Sequence, residues 1–238
     1  MLTRGPLLAV TALLVGVALS GCSSDEPEPA ADVKAVESSA AEAPAEKPEG
    51  RLLTAEQAKA ALPAITAMPG SGWTAAEGDD GTQAKVTPAS CAPLMNEFDS
   101  DFPGYQPKMA TRQTVTFSNE ATTTDVEFQV VSWKEAADSG LPLAAGKLVD
   151  SCKKFTASDG ETALDMTAER TDPLPVGDEQ IGVHFTASYQ GASVYLSVFE
   201  ARVGHNLLSV AVTSGDAAAK TADYKPVLDS MISELKAA

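Results

Sequence analysis

Histidine occurs only twice in the 238 residues, tryptophan twice and cysteine three times, and aromatic residues make up just 5% of the chain. Two histidines placed singly, at 184 and 205, give no HxxxH or HExxH pair, so a mononuclear metal site has no nucleus. No GxSxG elbow occurs for acyl transfer, and neither GxGxxG nor GxxxxGK[ST] is present to cradle a phosphate. Basic residues are scarce as well. Seventeen Lys and Arg face 33 Asp and Glu, a formal charge of -16, and nucleic acids and anionic lipid surfaces both demand clustered positive charge. These absences nominate no catalytic residue, no cofactor-binding residue, no metal ligand and no cofactor, and they exclude nucleic acid as a partner.

What is present begins with a leader. The chain is apolar from Leu7 to Leu19, broken only by Thr11 and Gly16, behind a single positive charge at Arg4. That is the plan of a secretory signal peptide, here residues 1–21. The run is roughly 13 residues long, whereas a helix needs about 20 to cross a bilayer. Its end, Leu19-Ser20-Gly21-Cys22, resembles the lipobox of bacterial lipoproteins. The resemblance implies that the Cys22 thiol receives a diacylglyceryl group and that cleavage falls just before it. Two palmitate-type chains would then supply the two hydrophobic signals that stable anchoring requires. Cys22 is thus an expected lipid attachment site, the membrane an expected partner, and the outer face of the cell membrane the expected location.

Residues 22–50 carry no aromatic residue and no Leu, Ile or Phe, but several prolines and mostly acidic charge. Such a stretch buries too little apolar surface to offset its ordering entropy, and the composition predicts a disordered tether. Residues 51–238 remain, enough for one domain with a substantial core.

Periodicity predicts an α+β class for this part, an antiparallel twisted β-sheet with helices packed on it. A capping box, Thr54 with Gln57, opens a short helix within residues 52–65 that Pro63 ends or kinks. "CAPLMNEF" from Cys91 reads as a second short helix, with Leu94, Met95 and Phe98 on one side. Alternating strands are expected at 112–118 and 124–133, the latter with Val126, Phe128 and Val130 on one face, joined by "NEATT" as a hairpin. Helical spacing over 143–155 brings Leu143, Leu148 and Cys152 toward one side. Four strands follow at 162–169, 182–189, 193–202 and 207–213, with bends at Gln190-Gly191 and at 204–206. A terminal helix from about Asp223 has Pro226 in its first turn and a stripe of Val227, Leu228, Met231, Ile232 and Leu235.

Few residues carry chemistry. With Cys22 acylated, Cys91 and Cys152 are left in an oxidising compartment, where a disulfide is expected and two buried free thiols are the alternative. His184 alternates with Val183 and Phe185, so it belongs with Thr186 and Ser188 on a polar sheet face, while His205 lies in a predicted turn and is expected in solvent. Acidic clusters at 77–81, 99–101 and 177–179 lack the spacing of a calcium loop and read as solvated turns. Trp133 ends an alternating strand and is expected in the core. Trp73, in "GSGWTA", is either a packed loop anchor or an exposed contact.

The order of landmarks matters here: an entry "LL", a cysteine within "VTPASCAPL", then "VEFQVVSWKEAA", then "LVDSCKKF". It resembles the extracellular sensor domain of PknH-type receptor Ser/Thr kinases, which also occurs without a kinase in exported lipoproteins. The resemblance implies an α+β sensor fold, a strongly bent antiparallel sheet with a cleft, and a binding role. Members commonly carry two disulfides, whereas this chain has cysteines for one, Cys91 and Cys152. No binding residue carries over, so the ligand-binding residues stay unknown. The expected function is a non-enzymatic, membrane-anchored extracytoplasmic domain for an unknown small-molecule or protein ligand. A carrier of lipid or another apolar molecule is the alternative, and a hydrolase with an unrecognised site ranks third.

Overall fold

Alternation of apolar and polar side chains builds most of this molecule, and in its central strands both faces end up covered. In the computed structural model, which describes residues 50–77, 84–96, 104–215 and 220–237, nine antiparallel strands form one open sheet. They are β1 Thr74–Ala76, β2 Lys85–Thr87, β3 Met109–Asn119, β4 Thr124–Trp133, β5 Lys154–Ser158, β6 Ala163–Arg170, β7 Glu179–Tyr189, β8 Ala192–Val203 and β9 Asn206–Ser214. Their order across the sheet is β1-β3-β4-β9-β8-β7-β6-β5-β2. Four helices accompany them: α1 Ala55–Ala60, α2 Ala92–Asn96, α3 Leu141–Ala145 and α4 Lys225–Ala237. The α+β sheet-and-helix class is therefore the observed one. The leader, Cys22, the tether through residue 49 and Phe98 lie outside the described residues, as do the acidic cluster at 99–101 and most of that at 77–81.

One hydrophobic core lies under α1 and α4. Val126, Phe128 and Val130 of β4, Phe199 and Ala201 of β8, and Val210 and Val212 of β9 point into it, as the period of two requires. The α4 stripe of Val227, Leu228, Met231, Ile232 and Leu235 closes it, every member buried. Burying one such side chain contributes about 1.5–3 kcal/mol, so this stripe fixes α4 more firmly than helix propensity does. The alternate residues of the same strands face a second core. Val131 and Trp133, Leu207 and Val198 join Val183 and Phe185 of β7 there, beneath α2 and α3. Trp133 is wholly buried, with Tyr105 edge-on at 5.3 Å.

The second core is laced by the Cys91–Cys152 disulfide, with Cα atoms 5.7 Å apart and a sequence separation of 61. It ties the segment leading into α2 to the one leading into β5.

The boundaries meet expectation at α1 and depart from it at α3. The first helix stops at Ala60, ahead of Pro63, because the residue before a proline is driven out of the helical region, and a 3-10 turn at Ile65–Ala67 follows. The capping box is formed: Gln57 N–H donates to Thr54 Oγ1 at 3.3 Å and Thr54 N–H to Gln57 Oε1 at 2.9 Å. The helix expected over 143–155 is only α3 plus a 3-10 turn at Gly146–Leu148. Lys154 and Phe155 already belong to a strand, since pairing with β6 and burial of Phe155 outweigh helical spacing. Among the described residues, no helix is long and apolar enough to cross a membrane.

Candidate functional site

Three adjacent strands lay a row of polar side chains across the sheet. Register pairs Glu169 of β6 with His184 of β7, and His184 with Ser197 of β8. These positions alternate with Ala168, Val183 and Val198, which serve the second core, so the polar row lies on the opposite face of the sheet, the one on which Phe199 and Ala201 of β8 serve the first core. A 3-10 turn at Thr221–Tyr224, just before α4, stands over it. Between them lies a cleft of about 340 Å³ lined by Glu169, Arg170, Thr171, Asp172, His184, Ser197, Lys220 and Thr221 together with Leu174 and Ala222.

His184 is oriented by its neighbours. Its Nδ1 is 2.7 Å from Ser197 Oγ, and its ring stacks on Tyr195 with centroids 6.0 Å apart and planes 16° off parallel. Burial pushes the imidazole below its ordinary value. Glu169, across the ladder, pulls it up, and Lys220 adds to the lowering. Thr171 closes the far end. Its N–H donates to Gly182 O at 3.0 Å, while its Oγ1 is buried with no hydrogen-bond partner. Gly182 provides the space for that hydroxyl, because a Cβ there would stand 2.0 Å from it.

Serine, histidine and glutamate in one row invite comparison with a hydrolytic triad. Ser197 is only 2% exposed and sits inside a strand, so its hydroxyl orients the ring rather than meeting a substrate. Ser-x-x-Lys spacings also exist, at Ser233 and Lys236 on the exposed outside of α4 and at Ser151 and Lys154. Here Ser151 Oγ donates to Leu148 O at 2.9 Å in a turn and Lys154 opens β5, so the spacing does not lie on one helix.

A second cleft, of about 450 Å³, lies beside Trp73 and Tyr224. Its polar groups are engaged with one another. Trp73 Nε1 donates to Pro69 O at 2.8 Å, Asn119 Nδ2 to Ser71 O at 3.0 Å and Thr124 Oγ1 to Thr122 O at 3.1 Å. Trp73 meets Tyr224 edge-on at 6.2 Å. Burial, with Asp223 beside it, pushes the Tyr224 hydroxyl up to about 12. These contacts hold a loop in place, and they make Trp73 a half-buried loop anchor.

The remaining candidate residues are placed as follows. His205 does occupy a turn but is only half exposed, with its Nδ1 2.9 Å from Trp133 O. That corrects its expected solvation, and the reason is the carbonyl that the end of β4 leaves available. In the cluster at 177–179, Asp178 accepts the Gly204 N–H at 2.8 Å and Glu179 lies 3.6 Å from Arg202, so the carboxylates brace a turn. Among the described residues, no group of three His, Cys, Asp or Glu side chains could hold a metal ion. Lys220, Thr221 and Thr171 were not singled out in the sequence. Only strand pairing and the return of the chain into α4 bring them beside His184.

No protein-family model matches the sequence, and no curated protein matches it either. Among solved structures, the extracellular domain of PknH from Mycobacterium tuberculosis aligns over 79% of this chain and 100% of its own, at 13% identity and a TM-score of 0.62. The domain has the fold of the PknH extracellular domain. The X-ray structure of an uncharacterised protein of Mycobacterium smegmatis, the Rv0999 ortholog, aligns over 79% of this chain and 98% of that one, at 12% identity and a TM-score of 0.42. The PknH-like fold agrees with the expectation drawn from the landmarks around Cys91 and Cys152.

Proposed function

We propose that this chain is an extracytoplasmic lipoprotein, anchored to the cell membrane through acylated Cys22, whose PknH-like domain binds a small molecule or a protein partner without chemically transforming it. One observation carries the reading: a domain with the fold of the PknH extracellular domain stands behind an apolar run that ends in Leu19-Ser20-Gly21-Cys22. The acidic stretch between them is a tether that holds the domain off the bilayer. The net charge of -16 keeps it soluble and off anionic lipid, so attachment falls to the acyl chains. The cleft at His184, with charged side chains at its rim and an imidazole oriented by Ser197, supports the binding half.

Fractionation of cells that express the wild type and Cys22→Ser tests the proposal. The wild type should sediment with membranes, resist carbonate and be cut by protease added outside the cytoplasmic membrane. The variant should lose its acyl chains and leave the membrane fraction. A wild-type protein recovered from cytosol with its leader intact would overturn the reading.

A further inference from the structure

The two clefts differ in one respect that bears on what each can hold. At Trp73 the polar groups are consumed by the fold, whereas at His184 they are left over. Glu169, Arg170, Asp172 and Lys220 are exposed at the rim; Arg170 is held by Asp150 at 3.4 Å and by Gly146 O at 2.8 Å, and among the described residues the other three side chains enter no ion pair or side-chain hydrogen bond. Both Glu169 and Lys220 are close enough to His184 to perturb it, in opposite directions. Between these charges stand uncharged groups. His184 has Nδ1 occupied by Ser197, so Nε2 is the nitrogen left for a ligand, whereas Thr171 Oγ1 is shut away against Gly182.

This pattern discriminates among ligand classes. A simple anion drawn to Lys220 would meet Glu169 and Asp172, and a simple cation drawn to those carboxylates would meet Lys220. A neutral polyol would use the imidazole but leave charges of both signs unsatisfied. A ligand that brings its own ammonium and its own carboxylate satisfies all of them, and charge-assisted hydrogen bonds of that kind are the stronger ones.

Resting on the binding role proposed above, we propose that the His184 cleft binds a small zwitterion, a free amino acid or the termini of a short peptide. The ammonium goes to Glu169 and Asp172, the carboxylate to Lys220, and His184 Nε2 holds the polar atom between them. Stacking on Tyr195 and the bond to Ser197 fix the imidazole before the ligand arrives, which lowers the ordering cost of binding.

Calorimetric titration of the full-length protein in detergent tests this, with alanine, dialanine, N-acetyl-dialanine amide, glucose and inorganic phosphate as probes, each up to about 10 mM, where a Kd of about 1 mM would be well saturated. Saturable binding of alanine or dialanine is expected, and which of them binds more tightly separates free amino acid from peptide. Blocking both termini should abolish it. Lys220→Gln and Glu169→Gln should each weaken it by about tenfold or more, with unchanged melting temperatures to show that the fold is intact. Lys225→Gln, whose partner Asp229 lies on the outside of α4, should leave it unchanged. Equal binding of the blocked dipeptide, binding of glucose or phosphate in place of the zwitterions, or no response to any probe would overturn the inference. Should the zwitterions fail while the protein still retains a molecule from envelope extracts, and Lys220→Gln leave that retention intact, this inference falls and the broader binding role survives. If nothing is retained, both fall.

Discussion

Replacing Glu200 by glutamine should remove a defined part of the pH dependence of folding. Glu200 lies in the interior of β8, opposite Ile181 on one side and Ser209 on the other, with 1% of its surface exposed. Its Oε2 is buried and has no hydrogen-bond partner, and burial pushes the carboxyl well above its ordinary value of 4.5. Between that ordinary value and the raised one, the folded protein keeps a proton that the unfolded chain has lost. Stability contributed by this proton is therefore complete below about pH 4.5 and declines as the pH climbs toward the folded-state value, at up to about 1.4 kcal/mol per pH unit. Glutamine has nearly the same shape and does not titrate. Urea unfolding of both proteins across about pH 4.5 to 8 gives the comparison, since the other carboxylates cancel in the difference. The variant should gain on the wild type as pH rises, by about 1.4 kcal/mol per unit over the first part of that range. A difference that stays flat with pH would refute a buried, proton-retaining Glu200.

Three further outcomes follow from the packing. The Cys91–Cys152 bridge joins residues separated by 61 in sequence, and chain entropy alone assigns it about 4 kcal/mol. Reduction should therefore lower the melting temperature by about 8–16 °C, and an unchanged melt in scanning calorimetry would contradict this. Phe128 is fully buried between Phe117 and Tyr224, so Phe128→Ala should cost about 3–5 kcal/mol in denaturant unfolding. Gly50 has φ of +72°, and a Cβ there would meet Val203 O at 2.2 Å. Gly50→Ala should destabilise the domain by about 1–3 kcal/mol, read as a lower urea midpoint at constant slope.

Most of the sheet was legible because it is made by alternation. The β4 residues Val126, Phe128 and Val130 share a face as their spacing requires, and the α4 stripe is buried along its length. The illegible strands are those whose existence depends on a distant partner. β1 and β2 are three residues each at the two edges of the sheet, too short to carry a period. β5 begins at Lys154 within a stretch of helical spacing, and pairing with β6 decides it. The starts of β3 and β7 lie three residues ahead of their visible alternation, at Met109 and Glu179. The candidate site was half legible. His184 could be assigned to a polar face from its neighbours, and the Glu169 pairing follows once strand registers are known. The approach of Lys220 and Thr221 could not be read, because it depends on where α4 docks over the core.

Intact mass of the mature protein, extracted from the membranes of its own host, tests the central claim most directly. The account predicts a chain that starts at Cys22, heavier than its sequence by a diacylglyceryl group and lighter by two protons for the Cys91–Cys152 bond. A chain that retains Met1, carries no lipid and is recovered from the soluble fraction would contradict it.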